Sequence, residues 1–226
     1  MEENRTTLPE NAQRELKPGE KYEPLLNPQK NYPEVTPYSV CVGLIMVIIF
    51  SAAAAYLGLK VGQVFEAAIP IAIIAVGLTS ALGKKGGLGQ NVIIQSIGGC
   101  SGSVVAGAIF TLPAIYILGV DVNFMQMFLS SLLGGVLGIL FLIPFRKYFV
   151  KEMHGKYPFP EATATTQVLV SGEGGGSNAK TLILSGLVGG LYDFIIATFG
   201  AWSETVSTTV MSVGQHIADK AKVVLK

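Results

Sequence analysis

"GKYPFPEATATTQVLVSGEGGG", residues 155–176, lies between stretches of nearly pure hydrocarbon side chains and fits neither of them. It is too polar for an ordinary membrane span and too apolar for an ordinary loop. Pro158 keeps the turn before it out of the helical region, and Pro160 suits the first position of a new helix. Glu161 then falls in the first turn, where the helix dipole favours a negative charge. Ala162 to Ser171 continue the helix, and Gly172 is expected to stop it. About 12 residues at 1.5 Å each give about 18 Å. The hydrocarbon core is about 30 Å thick, so such a helix reaches only part of the way across. The stretch therefore reads as a re-entrant half-helix over 158–171. The other reading is a short amphipathic helix on the cytoplasmic surface.

The flanking sequence makes the membrane reading natural. The chain is 50% hydrophobic and 14% charged, with a mean hydropathy of +0.52. Soluble domains usually carry about 25% charge. A net charge of +1 gives no reason to expect nucleic acid. Residues 1–34 hold five Lys/Arg and seven Glu, while residues 86–145 hold one charge, Asp121. The proline-rich tail, 1–34, is expected to be disordered, and no cleavable signal peptide is expected in it. Cys41 and Cys100 lie in apolar segments without metal-ligand or disulfide spacing, and are expected to pack. No metal or cofactor is expected.

Spans are predicted at about 38–59, 67–82, 91–118, 124–145 and 181–202, within a membrane domain covering 35–202. The expected fold class is all-α: a polytopic integral membrane helix bundle of five spans, a re-entrant half-helix and a C-terminal amphipathic helix. Lys/Arg counts place the N-terminus in the cytoplasm, together with the loops that hold Lys84 and Lys85 and Arg146 to Lys156. The expected location is the inner (plasma) membrane. Beyond Trp202, Val206, Val210, Val213, Ile217, Ala221 and Val224 share one helical face, so 203–226 reads as an amphipathic connector helix. The chain then stops without a final basic flank, and is expected to be truncated.

Helices in lipid pack closely where small residues recur one turn apart. Gly98 and Gly102, Gly134 and Gly138, and Gly186 and Gly190 are such pairs. Asn91, Gln95, Gly99 and Gly102 form a stripe, with Ser96 and Ser103 beside it. Burying an unpartnered amide is costly, so Asn91 and Gln95 should face other helices or a wet cavity. Glu66, Glu161 and Asp193 are the acids in or near apolar segments, and intramembrane acids are usually functional. His154, in the basic loop, reads as a solvated surface residue. "GGGSNAKT", residues 174–181, misses a P-loop by one residue, Ala179. A P-loop needs a buried strand before it, whereas a membrane-length segment follows here. No paired His/Cys ligands or nucleophile–base pair suggest an enzyme.

"AAYLGLKVGQVFEAAIPIAI" (54–73), "NVIIQSIGGCSGSVVAG" (91–107) and "YPFPEATATTQVL" (157–169) resemble, in order, signature regions of the oligopeptide transporter (OPT) superfamily, in a bacterial-type variant. The last resembles a region shared with the metal-chelate branch. The Asn-Pro-Gly and Lys-Ile-Pro-Pro-Arg motifs of the fungal and plant peptide carriers are absent. The resemblance implies a secondary transporter of small oligopeptides, in a family with many proton-coupled members, or alternatively of metal chelates. It also implies that this chain is the N-terminal portion of a longer one, with the remainder of the transporter and the lipid bilayer as partners. Substrate-pathway candidates are Glu161, Thr165, Gln167, Asn91, Gln95 and Tyr157. Proton-coupling candidates are Glu161, Asp193 and Glu66. A membrane scaffold subunit that transports nothing is the reading from another class.

Overall fold

The computed structural model describes residues 7–62, 64, 66–83, 87–121, 123–173 and 177–200. The expected connector helix at 203–226 lies outside them, as do Lys84 and Lys85. Among the described residues every regular element is helical. The longer helices are α1 (Pro37–Val61), α2 (Ala68–Ala81), α3 (Leu88–Ile117), α4 (Phe124–Lys147), α5 (Pro160–Glu173) and α6 (Ser177–Phe199). Three apolar helical stretches are long enough to cross a membrane, Pro37–Lys60, Leu88–Ile117 and Phe124–Glu152. Ala68–Ala81 and Leu184–Ile196 are shorter apolar helices. The sequence divides into two compact units at Ile183/Leu184, and the second is described by itself.

Local chemistry sets the ends of α1. Thr36 Oγ1 accepts from the Ser39 amide at 3.2 Å, and Ser39 Oγ accepts from the Thr36 amide at 2.9 Å. This reciprocal cap, with Pro37 at the first helical position, satisfies donors that would otherwise be orphaned. At the other end Gly62 takes a left-handed φ of 76°, and its amide donates to Gly58 at 2.8 Å. α4 has the same kind of start, where Asn123 and Gln126 cap one another. It leaves through a wider turn, Tyr148–Glu152, closed by a bond from the Met153 amide to the Tyr148 carbonyl at 3.0 Å.

Close contacts at glycines fix how α1, α2, α3 and α5 pack. Glu34 lies against Gly89, Ile97 against Gly43, and Met46 against Gly98, so α1 and α3 run parallel. α2 runs antiparallel to α3: Ile71 meets Gly98, while Thr79 lies against Gly87 and bonds Asn91. It therefore covers only the first half of α3. Its 14 residues rise about 21 Å, against about 37 Å for the 25 of α1.

α5 packs on α2 through Leu169, which joins Ala72, Val76 and Leu88 in one buried cluster. Gly172 does not stop α5, contrary to expectation. The helix runs on to Glu173, and a Cβ at Gly172 would collide with the Val76 side chain. This glycine permits close approach of two helices instead of a left-handed cap. α4, in contrast, buries no residue.

Among its described residues the tail holds one 3-10 turn, Glu10–Ala12, and is otherwise irregular, but it is not without contacts. Arg14 grips Glu20 with two bonds of 2.7 and 2.8 Å, and Leu25 and Leu26 pack against the buried cluster. His154 is half-buried, which corrects its reading as a solvated residue. Its Nε2 donates to the Asn11 carbonyl at 2.9 Å, and its ring lies 5.5 Å from that of Tyr22. Cys41 and Cys100 are exposed rather than packed, because both point away from the helix contacts.

Candidate functional site

The first turns of α2 and α5 open onto one cavity of about 650 Å³. α2 contributes Ala68, preceded by Glu66; α3 contributes Leu88, Val92 and Gln95; α5 contributes Glu161, Thr165 and Leu169. Tyr22, Leu25 and Leu26 of the tail form a further wall. The reason for this convergence is the shortness of the two helices. α2 starts beside the middle of α3, and α5 packs against α2 with Gly172 next to Val76. Glu161 is thereby carried to the same end of α2 as Glu66.

The cavity thus brings together Glu66, Gln95, Glu161 and Thr165 from the sequence candidates. Glu66 and Glu161 are exposed, and Gln95 is half-buried. Thr165 is 5% exposed, and its Oγ1 has no hydrogen-bond partner. Its neighbour Thr166 donates to the Ala162 carbonyl at 2.7 Å. Leaving a buried hydroxyl unpaired costs about 1–3 kcal/mol.

The remaining candidates lie elsewhere. Asn91 is 3% exposed and outside the cavity lining. Its Oδ1 accepts from Thr79 Oγ1 at 2.6 Å, locking α3 to α2. Thr79 was not singled out from sequence, although a buried hydroxyl in an otherwise apolar helix was the available signal. Tyr157 and Gln167 line a different cavity of about 540 Å³, with Phe149, His154 and Phe159. The rings of Phe149, Tyr157 and Phe159 succeed one another at 6.4 and 6.3 Å. Asp193 is exposed on α6, in the second unit. Of the glycine pairs, Gly98 and Gly102 are buried, and a Cβ at Gly98 would sit 2.9 Å from Ile71 Cγ2. A Cβ at Gly134, Gly138 or Gly190 would meet nothing within 4 Å. Among the described residues no group of three or more His, Cys, Asp or Glu is placed to hold a metal.

Outside the membrane-spanning helices, one titration is distinctive. The Arg14 guanidinium, followed by the Lys17 amide, holds the Glu20 carboxyl down to about 2 from an ordinary 4.5.

Long apolar helices, shorter apolar ones and regular structure that is helical throughout the described residues define a multi-pass helical membrane protein. Residues 34–219 match the family described as OPT oligopeptide transporter protein. The chain belongs to that family. It is 33% identical over 144 residues to the "Putative oligopeptide transporter" of Haemophilus influenzae, a match covering 62% of this chain and 22% of that protein. The chain thus spans about a fifth of the length of the relative it matches. No solved structure matches it.

Proposed function

We propose that this chain supplies part of the substrate pathway of a secondary transporter that carries small oligopeptides across the inner membrane. The observation that carries this reading is the single cavity holding Glu66, Gln95, Glu161 and Thr165 where α2 and α5 begin. Broken or short helices whose starts meet at a polar site are how secondary transporters hold substrates within a bilayer. Irregular backbone at membrane depth is tolerated only inside protein or against water. A wall made partly of the extended tail, with Leu25 and Leu26 seated on the buried cluster, supports a groove sized for peptide backbone and side chains.

In this reading α1, α3, α4 and α6 span the bilayer, α2 spans or enters it, α5 is re-entrant, and the N-terminus is cytoplasmic. Glu66 and Glu161 are the carboxylates placed to couple transport to protons, and Asp193 is a further candidate on α6. The test is uptake of labelled trialanine, compared with ferric and nickel chelates, by cells expressing the complete gene. Accumulation of trialanine above that of cells without the gene is expected. Accumulation of the chelates alone would replace this reading with the metal-chelate one. Single cysteines along 158–171 should label with a hydrophilic thiol reagent at the exposed Glu161, Ala162 and Thr166, and label poorly at the buried Leu169 and Val170. Uniform labelling would mean that α5 lies at the surface.

A further inference from the structure

The cavity at the starts of α2 and α5 has a one-sided charge. Among the described residues its only charged lining groups are Glu66 and Glu161, with no Lys, Arg or His. Thr165 stands in the same wall, more than nine-tenths buried and with its Oγ1 unpartnered. One turn back, the Glu161 carbonyl is placed for Thr165 as Ala162 is for Thr166, but only Thr166 makes the bond. Among the described residues nothing pairs with this hydroxyl. Gln95 adds an amide oxygen from α3.

We propose that Glu66, Glu161, Thr165 and Gln95 form a seat for the free α-ammonium group of a peptide's amino terminus. This rests on the peptide-transport reading given above. An ammonium carries three donors and no acceptor. The seat offers acceptors: two carboxylates, a hydroxyl and an amide oxygen. The charges also balance. Two carboxylates contribute −2, and the two helix starts contribute about +0.5 each, leaving about −1 for one ammonium to neutralise. A polyanionic chelate, or the carboxyl end of the peptide, would add negative charge to a site that is already negative. Leu88, Val92 and Leu169 form an apolar wall beside the seat for the first side chain.

The experiment compares KM for uptake of labelled trialanine and N-acetyl-trialanine in cells expressing the complete gene. Acetylation removes the positive charge and leaves the rest of the peptide intact. Wild type is expected to favour the free amine by about tenfold or more, the scale of a charged hydrogen bond. Glu161→Gln and Glu66→Gln should each shrink that preference by weakening uptake of the free peptide alone. Thr165→Val should raise KM for trialanine, with Thr165→Ser restoring it, at unchanged amounts of protein in the membrane. Equal uptake of both peptides by wild type overturns the seat but leaves peptide transport standing. A preference that survives both glutamine variants also overturns it. If neither peptide accumulates, the peptide-transport reading fails and the seat with it.

Discussion

Gly98 in α3 and Gly134 in α4 belong to the same sequence motif, a glycine pair one turn apart, and have opposite surroundings. A Cβ on Gly98 would press on Ile71 and Met46 at 2.9 and 3.2 Å, whereas one on Gly134 would meet nothing. The first glycine is where α1, α2 and α3 come together. The second lies on a helix that buries no residue at all. Glycine spacing therefore marks a helix able to pack closely, and the neighbouring chain decides whether it does. α4 also borders a cavity of about 740 Å³ with Ser103 and Thr111 on one side and Gln126, Ser130 and Ser131 on the other. Hydroxyls of this kind hydrogen-bond across helices in lipid.

The largest effect should come from filling the packed glycine. Gly98→Ile is expected to cost about 3 kcal/mol through overpacking, read as a lower unfolding temperature in detergent. Gly134→Ala should change stability by less than about 0.5 kcal/mol. A similar loss at both positions would break the contrast, because it would mean that α4 is packed after all. Next is Thr79→Val, which leaves Asn91 Oδ1 buried without its donor and should cost about 2 kcal/mol. Adding Asn91→Leu should recover part of that loss. If the double variant is worse than the sum of the singles, the Thr79–Asn91 bond is not what joins α2 to α3.

The smallest effect concerns the tail. Glu20 is held well below its ordinary value, so its pairing contributes fully above about 4.5 and is lost as the pH falls toward about 2. Carbon-13 NMR of the Glu20 carboxyl should find that low midpoint in wild type and an ordinary one in Arg14→Ala. An ordinary midpoint in both would remove the Arg14–Glu20 pair from the tail's structure.

Much of the helical plan was legible because apolar runs and their caps are local signals. Pro160 opens α5 and Pro37 opens α1 for reasons contained in a few neighbouring residues. Gly172 was misread because a glycine that ends a helix and one that admits a neighbour look identical in sequence. Only Val76, far away in the chain, distinguishes them. The tail shows the same limit. Its composition says only that it cannot form a core alone, and does not reveal that Leu25 and Leu26 rest on a core built by α2, α3 and α5. At the site, Glu66, Gln95, Glu161 and Thr165 were each visible as polar residues in apolar surroundings. That they share a wall, while Asn91 and Tyr157 do not, depends on where α2 begins.

That beginning has a consequence for water. No side chain caps α2 at Ala67, and its first intrahelical bond comes from Ile71, whose amide donates to the Ala67 carbonyl at 3.0 Å. The amides of Ala68 and Ile69 must find partners, and hydrocarbon offers none. Water entering the cavity can serve them, which makes the start of α2 a hydrated point in a largely apolar wall.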